Sequence, residues 1–351
     1  SEGFLPKLLG KMYNDRVYYK KKMLEAKKEY NKTKDPKLTK EISRCHNIQW
    51  AKKIALNSAY GAIGNQYFRY YDVRQAMAIT LAGQFVIRFI EKNVNEYMNK
   101  ILKTHDKIDY IVASDTDSIY LTMDKLVEQV CKDKTKEQTL KFLNKVVESR
   151  IEPFLDKCFK QLAEYTNAFE NKMVMKREVI ADKGIWTAKK RYMLNVLDEE
   201  GITFDEPKLK IMGIEAVKSS TPEYCRGKIK ESIKIIMSKQ ESDLHKFIKE
   251  TKEEFLNLPA EAVSFPRSCN NMKKYYSSSD VFIKGTPIHV KGALIYNHQI
   301  KQFGLEKKYP LIQEGDKIKF VKLLEANPFK FDVISYVTKL PKEFKLKDYV
   351  D

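Results

Sequence analysis

The first sixty-five residues carry their apolar and polar positions in a helical order that is interrupted once. The stretch from Leu8 to about Tyr30 favours a helix, because it contains no proline and only one early glycine. Residues 31–40 combine Pro36 with polar side chains, which is typical of a break between helices. A second helical run extends from about Glu41 to Gly61. The pattern therefore predicts an antiparallel helical hairpin, with arms on the order of 30 Å for about twenty residues.

The central part of the chain combines strand-like patterns with separate helix-like patterns. Residues 66–104 predict an extended segment and then an apolar helix, and residues 136–166 keep a 3.6-residue apolar spacing that predicts a helix broken at Pro153. Short apolar runs predict two strands around a turn at 111–123, and three more strands at 172–181, 190–198 and 209–217. Helices and strands segregated in this way indicate an α+β domain.

Long amphipathic helices are predicted after Thr221 and Pro222, which form a good helix-start signal. Their apolar positions share one face and are predicted to be core: Ile229, Ile233, Ile236, Leu244, Phe247 and Ile248. The final hundred residues predict short strands and turns, with strands at 287–297 and 316–324.

The overall charge points to a polyanionic partner. The 351 residues are 43% hydrophobic and 32% charged, as in globular proteins, but the net charge is +18. Residues 1–64 hold fifteen cations against six acids, half of that excess. A surface so basic repels itself unless an anion is its usual neighbour, and nucleic acid is the first candidate. An anionic membrane is the second, but no apolar run is long enough to span a bilayer, so no membrane partner is expected.

The cysteines and histidines suggest no metal centre and no disulfide framework. Five cysteines are widely scattered without a C-x-x-C pair, so we expect reduced thiols and a cytoplasmic location. The histidines share no motif, and each is expected to be a surface or core residue: His46, His105, His245, His289 and His298.

Two acids lie one residue apart in "IVASDTDSIYLTM", residues 111–123. Asp115 and Asp117 repel each other, so something must offset that cost. Ordinary turn chemistry accounts for many D-x-D sequences between strands. A site that binds a cation is the functional alternative, and these residues alone leave both open.

Several polar positions on the predicted hairpin fall on shared faces. Lys53, Asn57 and Tyr60 lie within a stripe of roughly 60° on the second helix. Arg16 and Lys20 are four residues apart on the first helix. Three cations and an amide facing one space suit a triphosphate, because cations offset the charge that develops in phosphoryl transfer. A solvated lysine face is the alternative.

Three motifs in order resemble those of family B DNA polymerases. "KIALNSAYGAIGN" (53–65) resembles the K-x-x-x-N-S-x-Y-G fingers motif, "SDTDSIY" (114–120) the D-T-D-S palm motif, and "KKRY" (189–192) the K-x-Y motif. Further similar stretches extend the resemblance through nearly the whole chain. It is nearest to the replicative polymerases of T-even-like bacteriophages.

The resemblance implies an α+β, right-hand polymerase architecture. Residues 1–65 would be the helical-hairpin fingers, 66–213 an antiparallel-sheet palm and 214–351 a mixed, largely helical thumb. The implied reaction adds deoxynucleoside triphosphates (dNTPs) to a primer 3′ end on primer–template DNA. The location would be the host cytoplasm if the chain is viral.

The resemblance also implies roles for single residues. Asp115 and Asp117 would be catalytic carboxylates that hold two Mg²⁺ ions, with Mn²⁺ as a substitute, and Glu178 would assist with metal or be structural. Five residues would bind the nucleotide: Arg16, Lys20, Lys53, Asn57 and Tyr60. Three would bind DNA: Lys190, Tyr192 and Lys218.

One family motif is missing from these residues. The family's other palm aspartate lies in a motif close to D-x-x-S-L-Y-P-S, which this sequence lacks, and the exonuclease is absent too. We therefore expect no polymerisation without an N-terminal part or a partner chain that carries both, with a naturally split polymerase slightly favoured. The tail that in the family reaches a sliding clamp is not seen, so a sliding clamp remains an open question as a partner. The rival function is a non-catalytic DNA-binding or scaffold subunit that retains the motifs.

Overall fold

The computed structural model of the protein describes residues 3–104 and 108–351, so His105 lies outside the described residues. It combines long helices with small sheets, which confirms the α+β class. The chain divides into two compact units: Ser1–Asp182 with Val196–Lys208, and Lys183–Asn195 with Leu209–Asp351. The division into three domains stays a prediction. In the described part of the chain, no helix has the length and apolar character needed to cross a membrane.

The first unit begins with two long helices that pack against each other, α1 (Phe4–Thr33) and α2 (Pro36–Ile63). Lys34 ends α1 in a left-handed conformation. Asp35 caps α2, its side chain accepting a hydrogen bond from the Lys37 N–H at 2.9 Å. Pro36 opens α2 because the first helical position needs no N–H donor. The hairpin is confirmed, with both arms longer than expected.

The next elements build the core of the first unit. They are α3 (Val73–Leu102), β1 (Ile111–Asp115), β2 (Ser118–Leu121), α4 (Asp124–Val130), α5 (Lys136–Val146), a π-helical segment (Val147–Ile151) and α6 (Glu152–Tyr165). Helix α3 buries one face, through Ile90, Val94 and Met98, against α6 and the β1–β2 hairpin. The predicted apolar helix and strand–turn–strand are both confirmed.

Two expectations for this region are wrong. The helix is not broken at Pro153, because Pro153 lies in the first turn of α6, where a missing N–H is tolerated. The irregularity is the π-helical segment immediately before it. The strand predicted at 172–181 begins only at Val179, and residues 171–178 have no regular structure.

A three-stranded sheet has the order β3 (Val179–Ala188), β4 (Arg191–Glu199) and β5 (Ile202–Met212). Connections of two residues join its strands, at 189–190 and 200–201. Connections so short require antiparallel pairing. The predicted strand at 190–198 is confirmed, and that at 209–217 is confirmed only to Met212.

The second unit continues with a 3-10 helix (Glu215–Val217) and two amphipathic helices, α7 (Glu223–Ser238) and α8 (Glu241–Leu256). Helix α7 starts after Pro222 as predicted. Ile233 of its apolar face is buried, whereas Ile236 and Ile248 are 45% and 42% exposed, so the stripe is only partly core.

The rest of the second unit surrounds its largest core. The elements are α9 (Ala260–Val263), β6 (Phe265–Ser268), α10 (Met272–Tyr275), β7 (Tyr276–Ser277), β8 (Val281–Phe282), α11 (Ile288–Gln302), β9 (Lys317–Lys322), β10 (Val333–Tyr336) and 3-10 helices at Lys342–Phe344 and Lys347–Tyr349. Helix α11 packs on the antiparallel sheet β6–β9–β10.

The strand predicted at 287–297 is wrong, since these residues start α11. Val290, Ala293, Ile295 and Tyr296 are all buried, so this helix has an apolar surface on nearly every side. A helix buried all round lacks the periodicity that distinguishes it from a buried strand. The strand predicted at 316–324 is confirmed by β9.

Candidate active site and DNA interface

The turn between β1 and β2 holds both predicted catalytic aspartates. Asp115 pairs with Ser118 across the hairpin, which leaves Thr116 and Asp117 as the connection. The Asp117 N–H donates to the Asp115 carbonyl at 2.7 Å, and Thr116 between them has φ 59°. A β-branched residue rarely adopts this left-handed conformation, which costs on the order of 1–3 kcal/mol. Asp115, the last residue of β1, is half-buried, and Asp117, in the turn, is exposed.

Short polar contacts brace the Asp115 side of the turn. The Thr116 hydroxyl donates to Asp115 Oδ1 at 2.9 Å, and the Ser118 hydroxyl donates to the Asp115 carbonyl at 3.2 Å. Ser and Thr hydroxyls commonly stabilise tight turns in this way. The D-T-D-S sequence thus supplies both the acids and the groups that shape the loop around them.

Helix α3 fixes the start of β1 through two asparagines. Asn95 Oδ1 accepts from the Tyr110 N–H at 2.7 Å. The Asn99 side chain donates to the Ile108 carbonyl at 2.8 Å and accepts from the Ile108 N–H at 3.1 Å. Tyr110 itself is 1% exposed. The hairpin that carries the aspartates is therefore anchored to a rigid element, as a catalytic group requires.

The third predicted metal ligand does not join the aspartates. Within residues 3–104 and 108–351, no group of three or more His, Cys, Asp or Glu side chains could hold a metal ion. Glu178 is exposed immediately before β3, and its carbonyl accepts from the Glu200 N–H at 2.7 Å. The carboxylates of Asp115 and Asp117 suit Mg²⁺ in donor type. Two carboxylates alone are too few ligands to hold two Mg²⁺ ions well.

The two arms of the helical hairpin are held in register close to the predicted nucleotide residues. Lys52 Nζ on α2 lies 2.8 Å from Asp15 Oδ2 on α1. Arg16 and Lys53 follow these two residues, so they lie at the same level of the hairpin. Hydrogen bonding from Lys52 lowers the pKa of Asp15, which keeps this acid charged. The sequence reasoning missed the pair, because nothing local links residues so far apart.

The side chains on α2 are open to solvent. Lys53 and Asn57 are exposed, and Tyr60 is 41% exposed. The Lys53 ammonium lies 5.4 Å from the centroid of the Trp50 ring, a cation–π distance. Trp50 itself is 49% exposed, so about half of its surface is open to solvent on α2.

The two predicted residues on α1 differ in their partners. Arg16 Nε is buried and has no hydrogen-bond partner among the described residues. Lys20 forms an ion pair with Glu200, although Glu200 is 180 positions away. No local pattern around Lys20 predicts this acid as its partner. The structure therefore brings Arg16, Lys20, Lys53, Asn57 and Tyr60 onto one hairpin, with one of the cations already engaged.

Glu215 in the second unit pairs with Lys218, a predicted DNA residue, and with Arg191, which was not predicted and which follows Lys190 in the chain. Arg191 donates to both carboxylate oxygens of Glu215, at 3.0 and 2.5 Å, and Lys218 Nζ lies 3.0 Å from Glu215 Oε1. These hydrogen bonds, first from Arg191 and then from Lys218, lower the pKa of Glu215 to about 2. Lys190 is exposed beside Arg191 at the β3–β4 turn, with φ 62°. We call Lys190, Arg191, Lys218 and Glu215 the basic cluster.

Tyr192 offers less surface than its predicted contact with DNA suggested. It is 7% exposed, and its ring is stacked on Trp186 with a centroid distance of 6.2 Å. The Tyr192 side chain therefore packs mainly inside the protein, where it supports β4, the strand that also carries Arg191.

Comparisons with known proteins agree with the motifs. The model of DNA polymerase family B matches residues 1–281. The DNA-directed DNA polymerase of Enterobacteria phage T4 is 38% identical over 318 residues, covering 87% of this chain and 35% of the phage protein. That of Escherichia phage RB69 is 38% identical over 333 residues, covering 90% of this chain and 35% of the phage protein. The resemblance seen in the motifs is thereby confirmed.

Similarity also reaches more distant proteins. DNA polymerase 1 of Aeropyrum pernix is 24% identical over 306 residues, covering 83% of this chain and 25% of the archaeal protein. The chain spans about a third of the length of the two phage relatives.

Proposed function

The chain belongs to DNA polymerase family B, and on that premise we propose that it forms the fingers, palm and thumb of a DNA-directed DNA polymerase. It adds dNTPs to the 3′ end of a primer paired with a template. Residues 1–65 form the fingers, 66–213 most of the palm and 214–351 the thumb in this proposal. The observation that carries it is the strained turn at Thr116, which presents Asp115 and Asp117 at one hairpin tip.

Asp115 and Asp117 are the residues that would hold Mg²⁺, or Mn²⁺ in its place, because their oxygens are the ligands such ions prefer. When bound, divalent ions supply positive charge to the oxygens that attack and leave in phosphoryl transfer. The described residues contain no third acid in this group. We therefore propose that a further carboxylate comes from outside these 351 residues. An N-terminal part or a separate partner chain that also carries the exonuclease would supply it.

The helical hairpin binds the incoming nucleotide in this proposal. Arg16, Lys20 and Lys53 neutralise the triphosphate, and Asn57 adds a hydrogen-bonding amide. The unpaired, buried Nε of Arg16 supports this role, because a buried donor without a partner is costly unless a ligand satisfies it. Tyr60 is exposed enough to lie against the nascent base pair. Catalysis on this chain is then mostly positioning and charge neutralisation.

The basic cluster holds the primer–template duplex. Lys190 and Lys218 contact phosphates, with Tyr192 supporting the strand that carries Lys190 and Arg191. Such contacts carry no sequence preference, so affinity for DNA falls steeply as salt increases.

Primer–template binding and primer extension, measured on the same protein, test the proposal. We expect the chain alone to bind duplex with a salt-dependent affinity and to leave the primer unextended. Extension should appear when an N-terminal polymerase polypeptide is added with Mg²⁺ and dNTPs. Extension by the chain alone would contradict the need for an outside acid. Binding without extension in the presence of that polypeptide would favour the rival, non-catalytic scaffold function.

A further inference from the structure

The two-residue turn between β4 and β5 carries a glutamate in an unfavourable conformation. Glu200 has φ 53° and Gly201 has φ 79°. A hairpin turn with two positive φ angles favours Asn-Gly or Asp-Gly, because other L residues are disfavoured in the left-handed region. Glutamate is therefore an uncommon choice at position 200, and strain of this kind often marks a functional side chain.

Contacts that do not involve the Glu200 carboxylate hold this turn in place. Asp198 is 1% exposed, and its carboxylate accepts from the Gly201 N–H at 3.0 Å and from the Thr203 hydroxyl at 3.0 Å. Arg177 forms an ion pair with the same carboxylate. The Glu200 N–H donates to the Glu178 carbonyl at 2.7 Å. The backbone of the turn is thus fixed whether or not residue 200 carries a charge.

The Glu200 carboxylate meets helix α1 at Lys20. The two side chains form an ion pair, in which the Glu200 side chain is 22% exposed and the Lys20 side chain 36% exposed. The neighbouring Gly201 also lies close to α1, since a Cβ there would be 3.3 Å from Lys28 Nζ. The turn therefore places the Glu200 carboxylate against Lys20, the lysine that binds the triphosphate in the proposed function.

We propose that Glu200 is a positioning residue that occupies Lys20 until a nucleoside triphosphate displaces it. This inference rests on the proposed function, because it assumes that Lys20 is a triphosphate ligand. The triphosphate carries several negative charges, so it competes well for an ammonium that one partly exposed carboxylate holds weakly.

The competition sets the apparent nucleotide affinity. If the ligand binds only when Lys20 is free, its apparent dissociation constant is the intrinsic one divided by the fraction of molecules in which Lys20 is free. An ion pair of this exposure is modest in strength, so removing it should tighten nucleotide binding by about two- to fivefold. The same pair keeps the Lys20 side chain ordered on α1 before the nucleotide arrives.

Equilibrium binding of fluorescently labelled dATP to the 351-residue chain with primer–template DNA tests this inference. The variants are Glu200→Gln, Lys20→Ala and the double variant. Glu199→Gln is the matched control, because it makes the same charge change one residue away, where Glu199 pairs with Lys208 at 2.6 Å. Circular dichroism and a melting curve for each variant report folding.

We expect Glu200→Gln to bind dATP about two- to fivefold more tightly, and Glu199→Gln to match the wild type. In the Lys20→Ala background, Glu200→Gln should have no effect, because its target is gone. Equal tightening by Glu199→Gln, or tightening that persists without Lys20, would overturn the inference in favour of a general charge effect.

The control variants separate this inference from the proposed function. If Lys20→Ala weakens dATP binding but Glu200→Gln changes nothing, only the inference fails. If Lys20→Ala leaves binding unchanged, the role of Lys20 in the proposed function fails and the inference fails with it.

Discussion

A Cβ atom on residue 213 would lie 2.0 Å from the carbonyl oxygen of Lys190, so Gly213 approaches Lys190 more closely than any other residue type allows. Gly213 also has φ 67°, which glycine adopts freely. This contact joins the end of β5 to the β3–β4 turn, the turn that presents Lys190 in the basic cluster.

Replacing Gly213 should therefore destabilise the second unit. Gly213→Ala places a side chain in the left-handed region, which costs about 1–2 kcal/mol, and the overlap with Lys190 adds to this. We expect a total loss above about 2 kcal/mol in chemical denaturation. Gly227→Ala is the control: position 227 in α7 has no atom near the added Cβ, and alanine favours a helix by about 0.8–1.0 kcal/mol. Equal effects of the two changes would contradict the close contact.

The buried acid Asp198 should be costly to remove. Asp198→Ala leaves Arg177, whose side chain is 13% exposed, without its ion-pair partner and removes two hydrogen bonds from the β4–β5 turn. We expect a loss of roughly 3–5 kcal/mol in the free energy of unfolding. Asp205→Ala, at an exposed position on β5, should stay within about 0.5 kcal/mol of the wild type. A small effect at Asp198 would show that the turn is not held as described.

The basic cluster predicts a pH-dependent stability. The pKa of Glu215 is about 2 in the folded protein, below its ordinary value of 4.5. A group whose pKa is lowered on folding stabilises the protein above its unfolded pKa, and that contribution is lost as the pH falls. The stability difference between wild type and Glu215→Gln should therefore be constant above about pH 4.5 and shrink towards pH 2.

A second variant checks the cause of that pH dependence. Because Arg191 makes the largest contribution to the shift, the Glu215→Gln effect should be smaller in an Arg191→Gln background. Denaturation midpoints measured from pH 6 to pH 2 decide the matter. An unchanged effect in that background would contradict the assigned cause.

Lys190 should contribute to DNA affinity through charge alone. Lys190→Ala should weaken binding to duplexes of every sequence, and reduce the slope of log affinity against log salt by about 0.9, the loss of one phosphate contact. Lys339→Ala makes the same charge change at another exposed position of the second unit and should leave the slope unchanged. A sequence-dependent loss would point to base contacts instead.

Local signals predicted those parts of the fold that local forces determine. Asp35 and Pro36 are a cap and a first-turn residue, so the boundary between α1 and α2 was visible in the sequence. The strand–turn–strand around Asp115 was also visible, because two short apolar runs flank the turn residues. Helix α11 was missed because burial on nearly all sides removes the periodicity on which the prediction depends.

Long-range partners in the candidate site were beyond local signals. The motif around Lys53 predicted where the cations lie, but the ion pair of Lys20 with Glu200 joins residues 180 positions apart. Likewise, the burial of Tyr192 depends on Trp186 and the sheet around it. Motifs thus identified candidate side chains, whereas only the fold shows which of them already have partners.

Asp115 and Asp117 serve the chemical step in the proposed function, and primer extension measures that step. The assay uses the chain with its N-terminal polymerase polypeptide and compares wild type, Asp117→Ala and Asp124→Ala, an exposed acid in the first turn of α4. We predict that Asp117→Ala lowers the extension rate by about a thousandfold or more, while DNA affinity stays nearly intact and Asp124→Ala behaves as wild type. Extension at the wild-type rate by Asp117→Ala would contradict a role of this acid in the chemical step.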